Sequence, residues 1–229
     1  MKYEKVVKGI FKSRPNRFIA QVEIGGVEET VHVKNTGRCR ELLVSGCTVY
    51  LETASNPERK TKYDLIAVEK VTERGTILIN MDSQVVNTAV EEWLLQGNLF
   101  GDGALVKREV TFGRSRFDFC ITAPDRVFLE VKGVTLENDG VARFPDAPTE
   151  RGVKHIEELV SYAESGGRAY ILFVVQMKGV YKMMPNDGTD PKFASALRRA
   201  AAAGVKVLCY DCRITPDTIE LDREVPVEL

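Results

Sequence analysis

The chain has 229 residues, of which 44% are hydrophobic and 28% are charged, enough to bury one large core or two small ones. This composition excludes fibrous, mucin-like and disordered proteins. We find no run of about 18 uncharged apolar residues that would span a bilayer. The first residues also contain no apolar core of signal-peptide length. We therefore expect a cytoplasmic protein without membrane association, and the odd number of cysteines, five, agrees with that location.

The net charge of −1 hides an uneven distribution along the chain. Residues 1–82 contain 14 Lys and Arg against 11 Asp and Glu, whereas the remainder contains 18 against 22. The basic excess is concentrated in residues 2–17, which include six cations and the single acid Glu4. Because phosphate contacts require only mobile cations, we interpret residues 2–17 as a basic arm that favours nucleic acid.

Residues 9–79 contain short β-rich runs separated by turn signals. The clearest pair, 18–24 and 27–33, alternates in polarity on both sides of Gly25-Gly26, which is typical of a hairpin. The remaining segments are β-rich runs at 48–53, 65–71 and 76–79, and one short helical candidate at 40–43. Five or so strands in about 75 residues predict a small closed barrel.

The hydrophobic period changes after Asn80 to one that mixes helices and strands. Helices are predicted at 83–96, from Thr149 to the glycines at 166–167, and from Asp190-Pro191 to Gly204. Extended runs are predicted at 104–112, 116–122, 127–131, 169–175 and 205–210. This order predicts a mixed-sheet α/β domain. We therefore divide the chain into residues 1–82 and 83–229.

Several common sites are excluded by the residues themselves. Gly101-Asp102-Gly103 lacks the third glycine of a dinucleotide loop. The two histidines, His32 and His155, cannot form a metal pair at helical spacing, and no serine lies in a nucleophile elbow. Cys209-x-x-Cys212 is half of a zinc site, but the other cysteines have no paired spacing, so we expect buried free thiols.

The strongest chemical candidate is the pair of extended runs that carry Asp118, Glu130 and Lys132. Side chains alternate along a strand, so Glu130 and Lys132 lie on one face. With an odd loop such as residues 124–126 between the runs, Asp118 faces Lys132 and lies diagonal to Glu130. An even loop would turn Asp118 to the opposite face.

Two carboxylates and a nearby backbone carbonyl form the oxygen-rich site that Mg²⁺, or Mn²⁺, prefers. We therefore consider Asp118 and Glu130 as metal ligands. Lys132 can position a water and stabilise charge on a phosphoryl group under attack. The spacing alone fits equally well a solvated hairpin face with an ion pair across it.

A longer set of residues resembles a known family. The runs are RFDF (116–119), EVKGVTL (130–136), FPDAPTERGVKH (144–155) and Asn35-Thr36-Gly37. Together they resemble the sugar fermentation stimulation protein A family along the whole chain. That resemblance implies a DNA-binding protein with an N-terminal OB-like β-barrel and a C-terminal restriction-endonuclease-like, PD-(D/E)XK domain.

The resemblance also implies roles for individual residues. The expected nuclease triad consists of Asp118, Glu130 and Lys132. Phe117 stands where the superfamily's name has proline, which changes no ligand. A supporting acid from the first helix of the second domain is expected at Glu91 or Glu92, and the sequence does not choose between them.

The segment around residue 150 has a physical interpretation of its own. Residues 144–148 form a rigid turn, and Thr149 is a suitable N-cap whose helix offers free N–H groups to an anion. Arg151, Lys154 and His155 follow at helical spacing as a basic stripe. A solvated helix face is the alternative. With the resemblance, we expect this stripe to hold phosphates beside the metal.

Further nucleic-acid contacts are expected elsewhere in the chain. The polar loop at 35–40 carries Arg38 and Arg40, and Arg116 lies two residues before Asp118. Small barrels bind single strands with a basic groove and stacking aromatics. The aromatic candidates, each more typical of a core residue, are Phe11, Phe18, Tyr50 and Tyr63.

The leading hypothesis is a DNA-binding protein with a Mg²⁺-dependent phosphodiesterase site in the second domain. A non-catalytic DNA-binding regulator of sugar metabolism, of the maltose type, on the same fold is the alternative, and a module for another polyanion is a weaker one. Catalysis is favoured because a protein that only holds phosphate gains nothing from two repelling carboxylates. Residues 225–229 either pair with a second copy, giving a homodimer, or fold back.

Overall fold

The N-terminal part of the chain forms a closed barrel. The computed structural model describes residues 1–35, 37–56 and 58–229. The strands are β1 (Val6–Asn16), β2 (Ile19–Ile24), β3 (Val27–Val33), β4 (Thr48–Thr53), β5 (Tyr63–Thr72) and β6 (Gly75–Asn80). They lie in the order β3-β2-β1-β4-β5-β6, and β3 also pairs with β5 in parallel, which closes five strands into the barrel. The predicted small barrel is confirmed.

Local sequence explains the barrel geometry. Ala20 and Val22 of β2 are fully buried and alternate with more exposed neighbours. The β2–β3 turn has positive φ at Gly25 (58°) and Gly26 (86°), a conformation that other residues rarely adopt. At Gly9 a Cβ atom would lie 2.6 Å from Val22, so β1 and β2 pack closely only because Gly9 has no side chain.

Two expectations for the first half are wrong. Residues 40–43 form a turn and not a helix. Residues 6–16 are a barrel strand and not a mobile arm, because Gly9 and Phe11 alternate inward between the cations. The Lys12 ammonium pairs with Glu23 at 2.7 Å.

The second half forms a mixed sheet covered by helices on both faces. The sheet strands are β7 (Leu105–Phe112), β8 (Ser115–Thr122), β9 (Arg126–Val134), β12 (Arg168–Val175), β14 (Lys206–Thr215) and β15 (Thr218–Glu224). They lie in the order β15-β14-β12-β9-β8-β7, with β9, β12 and β14 parallel. A smaller sheet contains β10 (Glu137–Asn138), β11 (Val141–Phe144) and β13 (Lys182–Pro185).

The three helices form close to their predicted positions. They are α1 (Val85–Leu95), α2 (Glu150–Glu164) and α3 (Pro191–Ala202). Helix α1 packs with Leu172 and Val174 of β12, whereas α2 and α3 pack with Ile171 and Phe173 of the same strand. The predicted mixed-sheet α/β domain is confirmed. No helix in the described part of the chain is long and apolar enough to cross a membrane.

A buried polar network joins the two halves where β6 leads into α1, at the predicted boundary near residue 82. Gln176 Nε2 donates to Asn80 Oδ1 and to the Asp82 carbonyl, both at 3.1 Å. The Asn80 N–H donates to the Gln176 carbonyl, and the Tyr3 hydroxyl accepts from Asn80 Nδ2 at 2.9 Å. Buried polar groups that are mutually paired fix geometry, so the two halves meet in one arrangement.

The C-terminal residues fold back on the same chain, because Val227 bridges to Met183 of β13. All five cysteines are free, and Cys209 and Cys212 are buried as expected. Burial raises the pKa of both thiols, so neither is an activated nucleophile.

Candidate metal and nucleic-acid site

The candidate site lies where β8 and β9 separate. Their paired residues end at Phe119 and Leu129, and the loop between the strands is the odd-length segment 123–125. The loop has an odd number of residues, as predicted, but the strand register differs. When the observed pairing is extended by one residue, Asp118 lies across from Glu130 and not from Lys132. The next backbone donor, the Val131 N–H, bonds to the Asp118 carboxylate.

The Asp118 carboxylate is held by both strands and a helix. Asp118 Oδ2 accepts the Val131 N–H at 2.8 Å, and Oδ1 accepts from Asn87 Nδ2 of α1 at 2.8 Å. Burial and the charge of Glu130 raise the pKa of Asp118, although these hydrogen bonds and Lys132 oppose the shift. The two carboxylates are therefore close enough that the charge of one disfavours the charge of the other.

The Glu130 carboxylate is almost fully buried, with 2% of the residue exposed. Its Oε1 accepts from Lys132 Nζ and from His155 Nδ1, each at 2.5 Å. Burial alone would raise the pKa of Glu130, but the His155 hydrogen bond and the Lys132 charge lower it. Its Oε2 is buried and has no hydrogen-bond partner in the described residues. Such an unpaired buried acceptor is rare in proteins and calls for a ligand.

His155 supports Glu130 from below. Arg151 Nε lies 3.5 Å from His155 Nε2 and donates to it, which favours the tautomer whose Nδ1–H donates to Glu130. The sequence grouped His155 with the phosphate-binding stripe. The structure instead buries this side chain between α2 and β9, where it orients a carboxylate.

The cluster opens into a cavity of about 320 Å³. Its lining residues all belong to the second domain, with residues of α1 on one side and the start of α2 on the other. Asp118, Glu130, Lys132 and Arg151 all line it. Thr149 caps α2 by accepting the Gly152 N–H at 3.0 Å, as predicted. The cavity is thus polar, with acids at its floor and a guanidinium at its rim.

The residues present fit a divalent cation. The unpaired Glu130 Oε2 and the neighbouring Asp118 supply hard anionic oxygens. No group of three or more His, Cys, Asp or Glu that could hold a metal occurs within residues 1–35, 37–56 and 58–229. Asp118 and Glu130 would be the two carboxylate ligands, with backbone oxygen and water completing the shell, and this assignment stays a prediction.

The first helix contributes an amide to the cluster. Glu91 pairs with Arg108 of β7 at 3.1 Å, and Glu92 pairs with the terminal amine of Met1 at 2.5 Å. Neither contacts Asp118. Asn87 makes that contact, and sequence reasoning missed it, although an asparagine inside a helix is a poor helix former and therefore a usable signal.

The other predicted cations are distributed over three places. Arg151 lines the cavity, whereas Lys154 Nζ donates to the Arg114 carbonyl at 3.0 Å. Arg116 is exposed and pairs with Glu109 at 3.6 Å. Arg38 and Arg40 are exposed on the barrel and line another cavity. Thr36, part of the Asn35-Thr36-Gly37 match, lies outside the described residues.

The four aromatic candidates of the barrel differ in position. Phe11 is a core residue, Tyr50 donates its hydroxyl to Glu69, and Tyr63 packs against the core. Phe18 is 51% exposed. Of the four, Phe18 alone is exposed.

A closed OB-like barrel joined to a restriction-endonuclease-like mixed sheet with an acidic cluster defines the class of this protein. A model described as the SfsA N-terminal OB domain matches residues 13–79. A second model, described as the sugar fermentation stimulation protein RE domain, matches residues 82–218. The chain belongs to the sugar fermentation stimulation protein family.

Individual relatives agree with this assignment. The chain is 52% identical to the sugar fermentation stimulation protein homolog of Ruminiclostridium cellulolyticum, over 100% of both chains. It is 54% identical to the homolog of Desulfitobacterium hafniense, over 100% of this chain and 99% of the other. The structure of SfsA from Pyrococcus furiosus in complex with Ca²⁺ matches with a TM-score of 0.88 and 30% identity, over 100% of this chain and 98% of that one.

Proposed function

We propose that this protein is a metal-dependent nuclease that hydrolyses phosphodiester bonds in DNA. The observation that carries the proposal is the unpaired, buried Oε2 of Glu130 beside Asp118 and Lys132 in an open cavity. A protein gains no stability from burying such an oxygen, because an unpaired buried acceptor costs about 1–3 kcal/mol. Its cost is offset only when a ligand is bound.

Asp118 and Glu130 would hold Mg²⁺ or Mn²⁺, which supplies Lewis-acid chemistry toward a phosphodiester. The Pyrococcus furiosus relative was solved in complex with Ca²⁺, a cation of the same oxygen-preferring kind. DNA is the proposed substrate because the family that the sequence resembles is described as DNA-binding.

The remaining side chains have distinct tasks. Lys132 places an ammonium beside Glu130, where it orients a water and stabilises charge that develops on the phosphoryl oxygens. His155 holds Glu130 Oε1, so that Oε2 stays directed away from the ring. Arg151 lines the cavity and binds a phosphate of the substrate.

The test is cleavage of plasmid and of labelled single strands with Mg²⁺, Mn²⁺ or EDTA. We expect metal-dependent cleavage that falls about 100-fold or more in Asp118→Ala and Lys132→Ala. Lys178→Ala is the matched control, because Lys178 also pairs with acids, Asp211 and Asp222, outside the cavity. It should retain full activity.

The absence of metal-dependent cleavage would favour the alternative hypothesis, a DNA-binding regulator. If no metal supports cleavage and the variants bind DNA as the wild type does, the nuclease proposal is wrong. A regulator would then bind particular promoter sequences more tightly than random DNA at equal salt. A module that binds only phosphate would instead lose affinity steeply as salt rises, whatever the sequence.

A further inference from the structure

Three neighbouring cavities form one groove between the two domains. The cavity at Glu130 adjoins a second of about 310 Å³, and the second adjoins a third of about 580 Å³ on the barrel. The first two share the lining residues Ser83, Gly133, Phe144 and Thr149. The last two share Gly37, Ala147 and Pro148. We call this row of adjoining cavities, from Glu130 to the barrel surface, the interdomain groove.

The barrel end of the groove is built around one half-buried arginine side chain. Arg14 donates to the carbonyls of Asn35 and Arg17 at 2.7 Å, of Arg38 at 2.8 Å and of Gly37 at 3.0 Å. These bonds tie the β1–β2 turn to the loop after β3. The Arg14 side chain therefore serves the fold, and it sets the positions of the cations beside it.

Those cations are free to bind a ligand. Arg17, Arg38 and Arg40 line the barrel end of the groove and are exposed. Within residues 1–35, 37–56 and 58–229, none of the three forms an ion pair with an acid. Phe18, next to Arg17, presents its ring to solvent. Exposed cations beside an exposed aromatic ring are the elements with which barrels of this kind bind single strands.

The inner part of the groove restricts what can pass. Each inner cavity, at about 310 and 320 Å³, has the size of a site for one small organic ligand. A cavity of this size accommodates the successive nucleotides of one strand. A duplex has two paired backbones and is too wide for it. Gly133, on the floor of both cavities, leaves no room for a side chain, because a Cβ atom would lie 2.7 Å from Gln176 Oε1.

We propose that the interdomain groove guides a single polynucleotide strand from Phe18 and the barrel arginines to Glu130. The substrate class of the proposed nuclease is then single-stranded DNA or a single-stranded tail. This inference rests on the proposed function for its cleavage step, but strand binding in the groove does not require cleavage. Binding and cleavage therefore provide separate tests.

The binding test uses wild-type protein in EDTA with fluorescent oligothymidylates of increasing length. Affinity should rise with length until the strand spans the groove. We expect Phe18→Ala to weaken binding of long strands about fivefold or more, and Arg38→Ala/Arg40→Ala about tenfold. Arg213→Ala is the matched control, because this exposed arginine lies on β14 and lines none of the three cavities. Its affinity should equal that of the wild type.

A duplex of the same length is the second arm of the binding test. Tighter binding of the duplex would overturn the proposal that the groove binds a single strand. Unchanged binding in both the Phe18 and the arginine variants would overturn it too. Thermal unfolding of each variant shows that a loss of binding reflects the surface and not the fold. An RNA strand of the same sequence separates the two kinds of single strand, and the inference requires that DNA binds at least as tightly.

The cleavage test separates the groove from the active site. Thymidine 5′-(p-nitrophenyl) phosphate occupies only the end at Glu130, whereas a long strand occupies the whole groove. The barrel variants should raise KM for the long strand and leave hydrolysis of the short probe unchanged. If the wild-type protein and these variants cut long strands with the same KM, the groove proposal is wrong and the nuclease proposal is retained. If no substrate is cut but strand binding depends on Arg38 and Arg40, the nuclease proposal is wrong and the groove proposal is retained.

Discussion

Each domain buries one acid that contacts a histidine. In the barrel, Asp64 Oδ1 accepts from His32 Nδ1 at 2.9 Å and from Arg59 at 2.7 Å, and Oδ2 accepts from Arg59 at 2.8 Å. In the second domain, Glu130 Oε1 accepts from His155 and Lys132. The two clusters contain the same kinds of side chain.

They differ in what is left unpaired. Both oxygens of Asp64 are paired, and Lys34 also lies 3.5 Å away. Glu130 keeps one buried oxygen without a partner and lies beside a second acid, Asp118. A cluster whose acceptors are all paired belongs to the fold. A cluster that keeps a free acceptor and neighbouring like charges is organised for a ligand, which explains why composition alone does not separate the two.

The strongest test of this comparison is to neutralise each acid by its amide. Glu130→Gln preserves shape and one acceptor but removes the metal-binding charge, so cleavage should fall about 100-fold or more. Asp64→Asn should leave cleavage unchanged, provided that circular dichroism shows the variant to be folded. Equal losses in the two variants would show that both clusters act only through the fold.

The same contrast predicts unequal effects on stability. Asp64→Ala leaves Arg59, Lys34 and His32 without their acid, and we expect it to reduce the free energy of unfolding by about 2–3 kcal/mol. Asp118→Asn removes a charge that Glu130 repels but leaves one of two donors, the Val131 N–H or Asn87 Nδ2, without an acceptor. Without metal it should therefore reduce the free energy of unfolding by about 1 kcal/mol or less. Urea unfolding in EDTA measures both. A larger loss for the Asp118 variant than for the Asp64 variant would contradict the comparison.

The two histidines give a third, smaller contrast. His155→Leu removes the donor that orients Glu130, and we expect Mn²⁺ affinity to fall about 10- to 100-fold. His155→Gln keeps an N–H donor and should restore most of that affinity. His32→Leu should leave it unchanged. Titration calorimetry with Mn²⁺ measures all three, and equal affinity in the Leu and Gln variants at position 155 would show that the hydrogen bond has no role.

The smallest expected effect is in the acid dependence of stability. Burial would raise the pKa of Asp64, but hydrogen bonds from Arg59 and His32 and the charge of Lys34 lower it from 3.8 to about 2. Because the folded-state pKa is depressed, the contribution of ionised Asp64 is complete above about pH 4 and is lost as the pH falls toward 2. Asp64→Asn should therefore flatten the decline of stability in that window. Urea unfolding between pH 5 and 2 tests this, and parallel curves for the two proteins would refute it.

Much of the fold followed from local patterns. Some elements have a hydrophobic pattern that is recognisable within their own short segment. They are the Gly25-Gly26 hairpin, the three helices and the central strands β9 and β12. Strand β1 was missed because its cations obscured a short inward alternation. The small sheet was missed because β11 pairs with β13, which is distant in the chain. Strand β15 forms a hairpin with its neighbour β14, a local pairing that our sequence analysis also missed.

From the sequence, strand alternation predicted that Glu130 and Lys132 lie on one face, and the family resemblance implied the classes of the two domains and grouped both residues with Asp118. Tertiary structure decided which oxygen remains unpaired, that Asn87 and not Glu91 or Glu92 holds Asp118, and that His155 orients Glu130. It also joined the cavities of the barrel and the second domain into one groove. The physical reason is that each of these features depends on contacts between separate elements, and local periodicity carries no information about such contacts.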